Sequence, residues 1–169
     1  MDIACKDHCL TEAEHLEFEN NGFFIVEDVL PPQLLEDLCA VADRIDARYR
    51  PEQNLGPHER LSVRDCLKDD ELFLELLDWP QVFPKVWGIL GWNIQLYHST
   101  IVITPPEGAA QKQGRWGWHQ DSGRLNAEME TNPRPRISLK VGFFLTDTTQ
   151  EGRANFYVVP GSHLQNEIE

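Results

Sequence analysis

Positive charge is scarce in this sequence. Its 169 residues hold 15 Lys and Arg against 28 Asp and Glu, a formal net charge of −13, and no local basic patch stands out against that field. Phosphate backbones and anionic lipid headgroups are repelled by such a chain, which sets aside nucleic acid and membrane surfaces as partners. Long apolar runs are lacking too: nothing approaches the roughly 18 residues that a membrane-spanning helix needs. Met1 to Leu10 has neither a basic n-region nor an apolar h-region, so the expected compartment is the cytoplasm. Cysteine is sparse, with Cys5, Cys9, Cys39 and Cys66 spread without a paired framework, as suits reducing conditions. Cys5-Lys6-Asp7-His8-Cys9 has the spacing of half a zinc site. A structural site needs four ligands, however, and no second Cys/His pair follows at a usable distance, so the segment is expected to be a frayed terminus. Internal repeats and low-complexity segments are also missing.

What remains is an ordinary globular composition, 41% hydrophobic and 25% charged, of a length that fits a single domain over residues 1–169 with a sizeable core. Thr11-Glu12-Ala13-Glu14 is a capping-box pattern that predicts a short helix ending at Asn20-Asn21-Gly22. Phe23 to Val26 reads as a buried strand. Pro31-Pro32 opens a second helix, running to about Arg50, with Leu34, Leu35, Leu38, Val41, Ala42 and Ile45 on one face. Pro51 to Glu59 is a loop. From Asp69 to Leu90 the apolar spacing is helical but broken at Trp79-Pro80, predicting two short helices. After Asn93 the period changes from 3.6 to 2. A helical support over about residues 10–92 is therefore expected to pack on β-structure over about residues 93–169.

The stretch Trp116-Gly117-Trp118-His119-Gln120-Asp121 places an imidazole and a carboxylate two residues apart in what reads as a strand, so both side chains leave on one face and can reach one ion. Imidazole plus carboxylate, with a second imidazole from elsewhere, is the facial triad of non-haem Fe(II) oxygenases, which leaves the opposite face open for co-substrate and O2. The alternation turns Trp116 and Trp118 away, toward packing. Ser122 to Pro135 is a long polar connection of the kind that forms lids and binding loops.

Four pieces in order carry a resemblance: Tyr97-His98-Ser99-Thr100-Ile101-Val102-Ile103-Thr104-Pro105-Pro106, then Trp118-His119-Gln120-Asp121, then Leu139-Lys140-Val141-Gly142-Phe143-Phe144-Leu145-Thr146-Asp147, then Val158-Val159-Pro160-Gly161-Ser162-His163. The sequence resembles the phytanoyl-CoA dioxygenase family of Fe(II)/2-oxoglutarate oxygenases, loosely from about Gly22 onward. The resemblance implies an α+β domain built on a double-stranded β-helix (a jelly roll) with α-helical N-terminal support. It implies Fe(II) held by His119 and Asp121, with 2-oxoglutarate and O2 as co-substrates and a small organic molecule as the hydroxylated substrate. In the family the second histidine ligand and the arginine for the far carboxylate of 2-oxoglutarate lie well beyond Pro-Gly-Ser-His. The 169 residues are accordingly expected to be a C-terminally incomplete domain that does not decarboxylate 2-oxoglutarate alone. A rival from another class is a non-catalytic jelly-roll binding module keeping His119 and Asp121 as a relic.

The remaining candidates have two readings each. Lys140 sits mid-strand, where a charge is costly unless paired; it either faces the interior and binds the anionic co-substrate or simply looks outward. His98, Thr100, Val102 and Thr104 share a strand face that suits a dicarboxylate, against which His98 also reads as a satisfied core histidine. Arg64 and Arg124 are candidates for meeting the acidic co-substrate; Arg60, Arg134 and Arg136 read as surface charges. His163 lies in a turn and is expected to be a structural landmark, not the third ligand.

Overall fold

The structure, a computed structural model, describes residues 3–106, 117–129 and 135–165. Its centre is one long helix, α2 (Pro32–Glu52), lying on a two-stranded antiparallel ribbon of β1 (Leu61–Arg64) and β2 (Thr100–Ile103). Leu34, Leu38, Val41 and Ile45 form the buried stripe of α2 at helical spacing. The ribbon answers by alternation: the register pairs Leu61 with Ile103 and Val63 with Ile101, so these four share the face turned to α2, and Cys66 and Phe73 complete the cluster. Leu38 and Leu61 are wholly excluded from solvent, and burying each such side chain is worth about 1.5–3 kcal/mol. Pro32 starts α2 at its first turn, where the missing N–H costs nothing. The helix continues to Glu52, slightly past the expected end, and takes Pro51 into its last turn.

Helix α1 (Glu12–Asn21) buries none of its residues, so it is held by its ends and by ion pairs. Thr11 and Glu14 make the expected capping box, and Gly22 closes the helix in the left-handed conformation, φ 84°. Glu14 also meets Lys85 of α3 (Phe83–Leu90), Nζ to Oε1 2.7 Å and to Oε2 2.9 Å. Lys85 is the buried charge of the described core, 8% exposed. Burial of the Glu14 carboxyl acts to raise its pKa, but the Lys85 ammonium and the Thr11 backbone and hydroxyl donors outweigh it, leaving the carboxyl below its ordinary value.

Several expectations need correction. Ile3–His8 is a 3-10 helix against α3 with Cys5 buried, not a frayed end, because the chain around Leu10 packs on Gly88 so closely that a Cβ there would lie 2.9 Å from the Leu10 Cβ. The four cysteines are free, in keeping with their unpaired spacing. The first of the two helices flanking Trp79-Pro80 is a 3-10 helix, Glu71–Leu76, and the second is α3. Phe23–Val26 is neither a strand nor buried, with no regular structure and Ile25 77% exposed, and β1 was not foreseen. The fold is mixed helix and sheet, as an α+β class requires, but the double-stranded β-helix is not seen among the described residues. There only β1 and β2 pair, and Ile137–Leu145 and Asn155–Val159 have no regular structure. Alternation selects extended backbone, whereas a strand also needs a hydrogen-bonded neighbour. The two segments touch through the Phe144 and Phe156 rings, 6.1 Å apart. Among the described residues no helix is long and apolar enough to cross a membrane.

Three substitutions test this packing. Lys85→Met removes the ammonium partner of a partly buried carboxylate to which Thr11 still donates, and is expected to lower stability by about 1–2 kcal/mol in chemical denaturation. Because Glu14 binds its proton less readily folded than unfolded, its contribution is present above the ordinary glutamate value of about 4.3 and is lost as the pH falls through the lower folded value. Glu14→Gln is expected to remove that part of the acid sensitivity. Gly88→Ala, helpful in an open helix, is expected here to cost about 1–3 kcal/mol because the Leu10 side chain occupies the space.

Candidate functional site

His119 and Asp121 are brought together, though not by a strand. Gly117–Gln120 has no regular structure, Ser122 turns the chain in the left-handed region at φ 60°, and a short helix, α4 (Gly123–Ala127), follows within the expected loop. Irregular backbone and then the Asp121-Ser122 turn take the place of a strand, and the pair meets at the entry to that turn: His119 Nε2 lies 3.7 Å from Asp121 Oδ1. Three polar tethers fix the turn. Asn126 Nδ2 donates to the Asp121 carbonyl at 2.9 Å. Gln120 Nε2 donates to the carbonyls of Ser162 and Gln165, each at 2.9 Å. The 160–165 turn they belong to is in turn fixed to the end of α1, where Gly161 N donates to Asn21 O at 2.9 Å.

The donor set suits a divalent cation as far as it goes. His119 Nδ1 lies 2.9 Å from the Gly117 carbonyl; a carbonyl only accepts, so Nδ1 is the donor there and Nε2 is the nitrogen turned toward Asp121. The 3.7 Å gap is too long for a hydrogen bond and shorter than two metal–ligand bonds of about 2.1 Å end to end. One ion can therefore touch both atoms. Among the described residues no third His, Cys, Asp or Glu joins them. His163 is turned to α1: its Nε2 lies 3.1 Å from the Glu19 carbonyl, and its ring fills the space beside Gly22, where a Cβ would come within 2.4 Å of Nδ1.

Lys140, His98, Thr100 and Arg64 form a polar track leading to this pair. Thr100 stands opposite Arg64 in the ribbon register, on the face turned away from α2. His98 Nε2 is 2.6 Å from the Thr100 hydroxyl, and the Tyr97 and His98 rings stack at 6.2 Å. Lys140 Nζ donates to the Tyr97 hydroxyl at 2.5 Å and lies 3.7 Å from Asp121 Oδ2. His98 is exposed, so it is not a core histidine. Lys140 is exposed, as in the outward reading, with its ammonium engaged by Tyr97. Arg124 pairs with Glu128 at 3.1 Å on α4, and Arg136 with Glu19 and the Ile89 carbonyl; Trp116 and Arg134 lie outside the described residues. Trp118, expected to pack, is exposed.

Sequence reasoning missed Tyr97, Ser138 and Gln120. Ser138 shares the parity of Lys140, and its hydroxyl is 3.0 Å from that of Tyr97; parity was the available signal. Nothing local marked Tyr97, which acts 43 residues away in sequence. The hydrogen bond from the Lys140 ammonium, followed by that with Ser138, holds the Tyr97 phenol below its ordinary value, whereas the hydrogen bond to Asp69 pushes that of Tyr49 up. Lys140→Met is therefore expected to move one tyrosine's ionisation to higher pH in a near-ultraviolet titration, and Tyr97→Phe to abolish that component. Identical curves for the wild type and Lys140→Met would rule the contact out.

Neither a curated protein nor a solved structure matches the chain. The family model described as Phytanoyl-CoA dioxygenase (PhyH) matches residues 18–169, which takes in α2, the ribbon, the His119/Asp121 turn and the 160–165 turn. With nearly all of its length covered, the chain belongs to the phytanoyl-CoA dioxygenase family.

Proposed function

We propose that this chain carries part of the active site of an Fe(II)/2-oxoglutarate-dependent dioxygenase that hydroxylates a small organic substrate, with His119 and Asp121 as iron ligands. Family members are typically dioxygenases of this kind. The observation that carries the assignment of residues is the open 3.7 Å gap between His119 Nε2 and Asp121 Oδ1, with the imidazole oriented through Nδ1. When bound in this family, iron supplies the oxidative decarboxylation of 2-oxoglutarate coupled to hydroxylation of a C–H bond.

The chain's own residues have separable tasks in this reading. His119 and Asp121 supply a neutral and an anionic donor side by side, and Gly117 sets which imidazole nitrogen faces the ion. Gln120 and Asn126 hold the turn, so that the two donors stay close without a strand to align them. Lys140, Thr100, His98 and Arg64 offer cationic and hydroxyl groups along one track, chemistry that suits the carboxylates of 2-oxoglutarate.

Mn(II), which replaces Fe(II) without turnover, is expected to bind stoichiometrically, followed by electron paramagnetic resonance. His119→Ala and Asp121→Asn are each expected to weaken it by more than tenfold, while His163→Ala, whose ring is engaged by α1, leaves it nearly unchanged. Equal Mn(II) affinity in all four proteins removes the assignment.

A further inference from the structure

Asp121 shows its two oxygens to different neighbours, Oδ1 to His119 Nε2 and Oδ2 to Lys140 Nζ, each at 3.7 Å. The ammonium is not loosely placed. It donates to the Tyr97 hydroxyl at 2.5 Å and stands 4.5 Å from the centre of the Tyr97 ring, a cation–π distance. Ser138 Oγ, 3.0 Å from the same hydroxyl, steadies the tyrosine in turn. A tethered positive charge thus sits against the one carboxylate of the metal pair, where it neutralises that carboxylate and repels any divalent cation brought to it.

We propose that Lys140 is a built-in counter-cation that couples metal binding to anion binding. It holds Asp121 while no metal is present and lowers the affinity for a bare divalent ion. It favours the ion once a dicarboxylate arrives to take over the ammonium. The inference rests on the reading of His119 and Asp121 as metal ligands. It follows from Coulomb's law alone that a unit charge about 4 Å from a ligand carboxylate opposes a second cation, and by linkage the anion must then strengthen metal binding by the same factor by which the metal strengthens anion binding. Tyr97 is a positioning residue in this scheme: it fixes where the ammonium rests and how far it can swing.

The test is a Mn(II) titration of the wild-type chain, Lys140→Met and Lys140→Gln, each with and without 2-oxoglutarate, with His119→Ala and Asp121→Asn as controls. Bare Mn(II) is expected to bind about tenfold more tightly to both Lys140 variants than to the wild type, since the partner side chains are about half exposed and screening is partial. The gain in Mn(II) affinity on adding 2-oxoglutarate is expected to be large in the wild type and small in the variants. A purely structural role for Lys140 would lower the melting temperature and weaken Mn(II) binding, the opposite sign. Equal bare-metal affinities in wild type and both Lys140 variants, with binding still lost in the controls, overturn the counter-cation role and leave the metal pair standing. Mn(II) binding that survives in the controls, or none in any protein, overturns the metal pair and this inference together.

Discussion

Everything in this structure hangs on one face of α2 meeting one face of a two-stranded ribbon. Because strand side chains alternate, committing Leu61, Val63, Ile101 and Ile103 to the core fixes the opposite face without further choice. Arg64 and Thr100 then stand as neighbours on that outer face, with His98 joined to Thr100. A one-residue slip in the register would exchange the two sets, burying Arg64 and Thr100 under α2. The position of the candidate co-substrate track is thus a by-product of hydrophobic packing on the other side of the ribbon.

The site itself is organised by polar contacts of long sequence separation. Lys140 reaches Tyr97, Gln120 reaches the 160–165 turn, and Arg136 reaches α1. Such contacts are individually modest, commonly around 1 kcal/mol net, and most here are partly exposed. Their value is geometric: each removes a freedom from a segment that no ladder holds.

Legibility in the sequence followed the range of the interaction. The capping box at Thr11 and Glu14, the Gly22 terminus, the Pro32 start and the apolar stripe of α2 are decided within four to seven residues, and all stood where periodicity and capping rules put them. The closeness of His119 and Asp121 was also legible, though for the wrong reason, since a turn and not a strand brings them together. Strands were read too freely after Asn93, because alternation reports only that extended backbone suits the side chains. β1 was overlooked although Leu61-Ser62-Val63-Arg64 alternates cleanly; four residues beside a loop are too few to stand out. Tyr97 and Gln120 were invisible because their partners lie about 40 residues away, a distance over which no local pattern reports.

The two hydrogen bonds of Gln120 have a consequence for what counts as the site. The carbonyls that receive them belong to a turn pinned to Asn21 and Glu19 at the end of α1. Helix α1 supplies no ligand, yet the ligand turn takes its bearings from it, as an arm takes its reach from the shoulder. Transplanting the ribbon and the His119–Asp121 loop onto another scaffold would carry the chemistry without its frame of reference. The carbonyls that α1 offers are main-chain ones, so it is the placement of the helix end, more than the identity of its side chains, that sets the bearing of a pair about a hundred positions downstream.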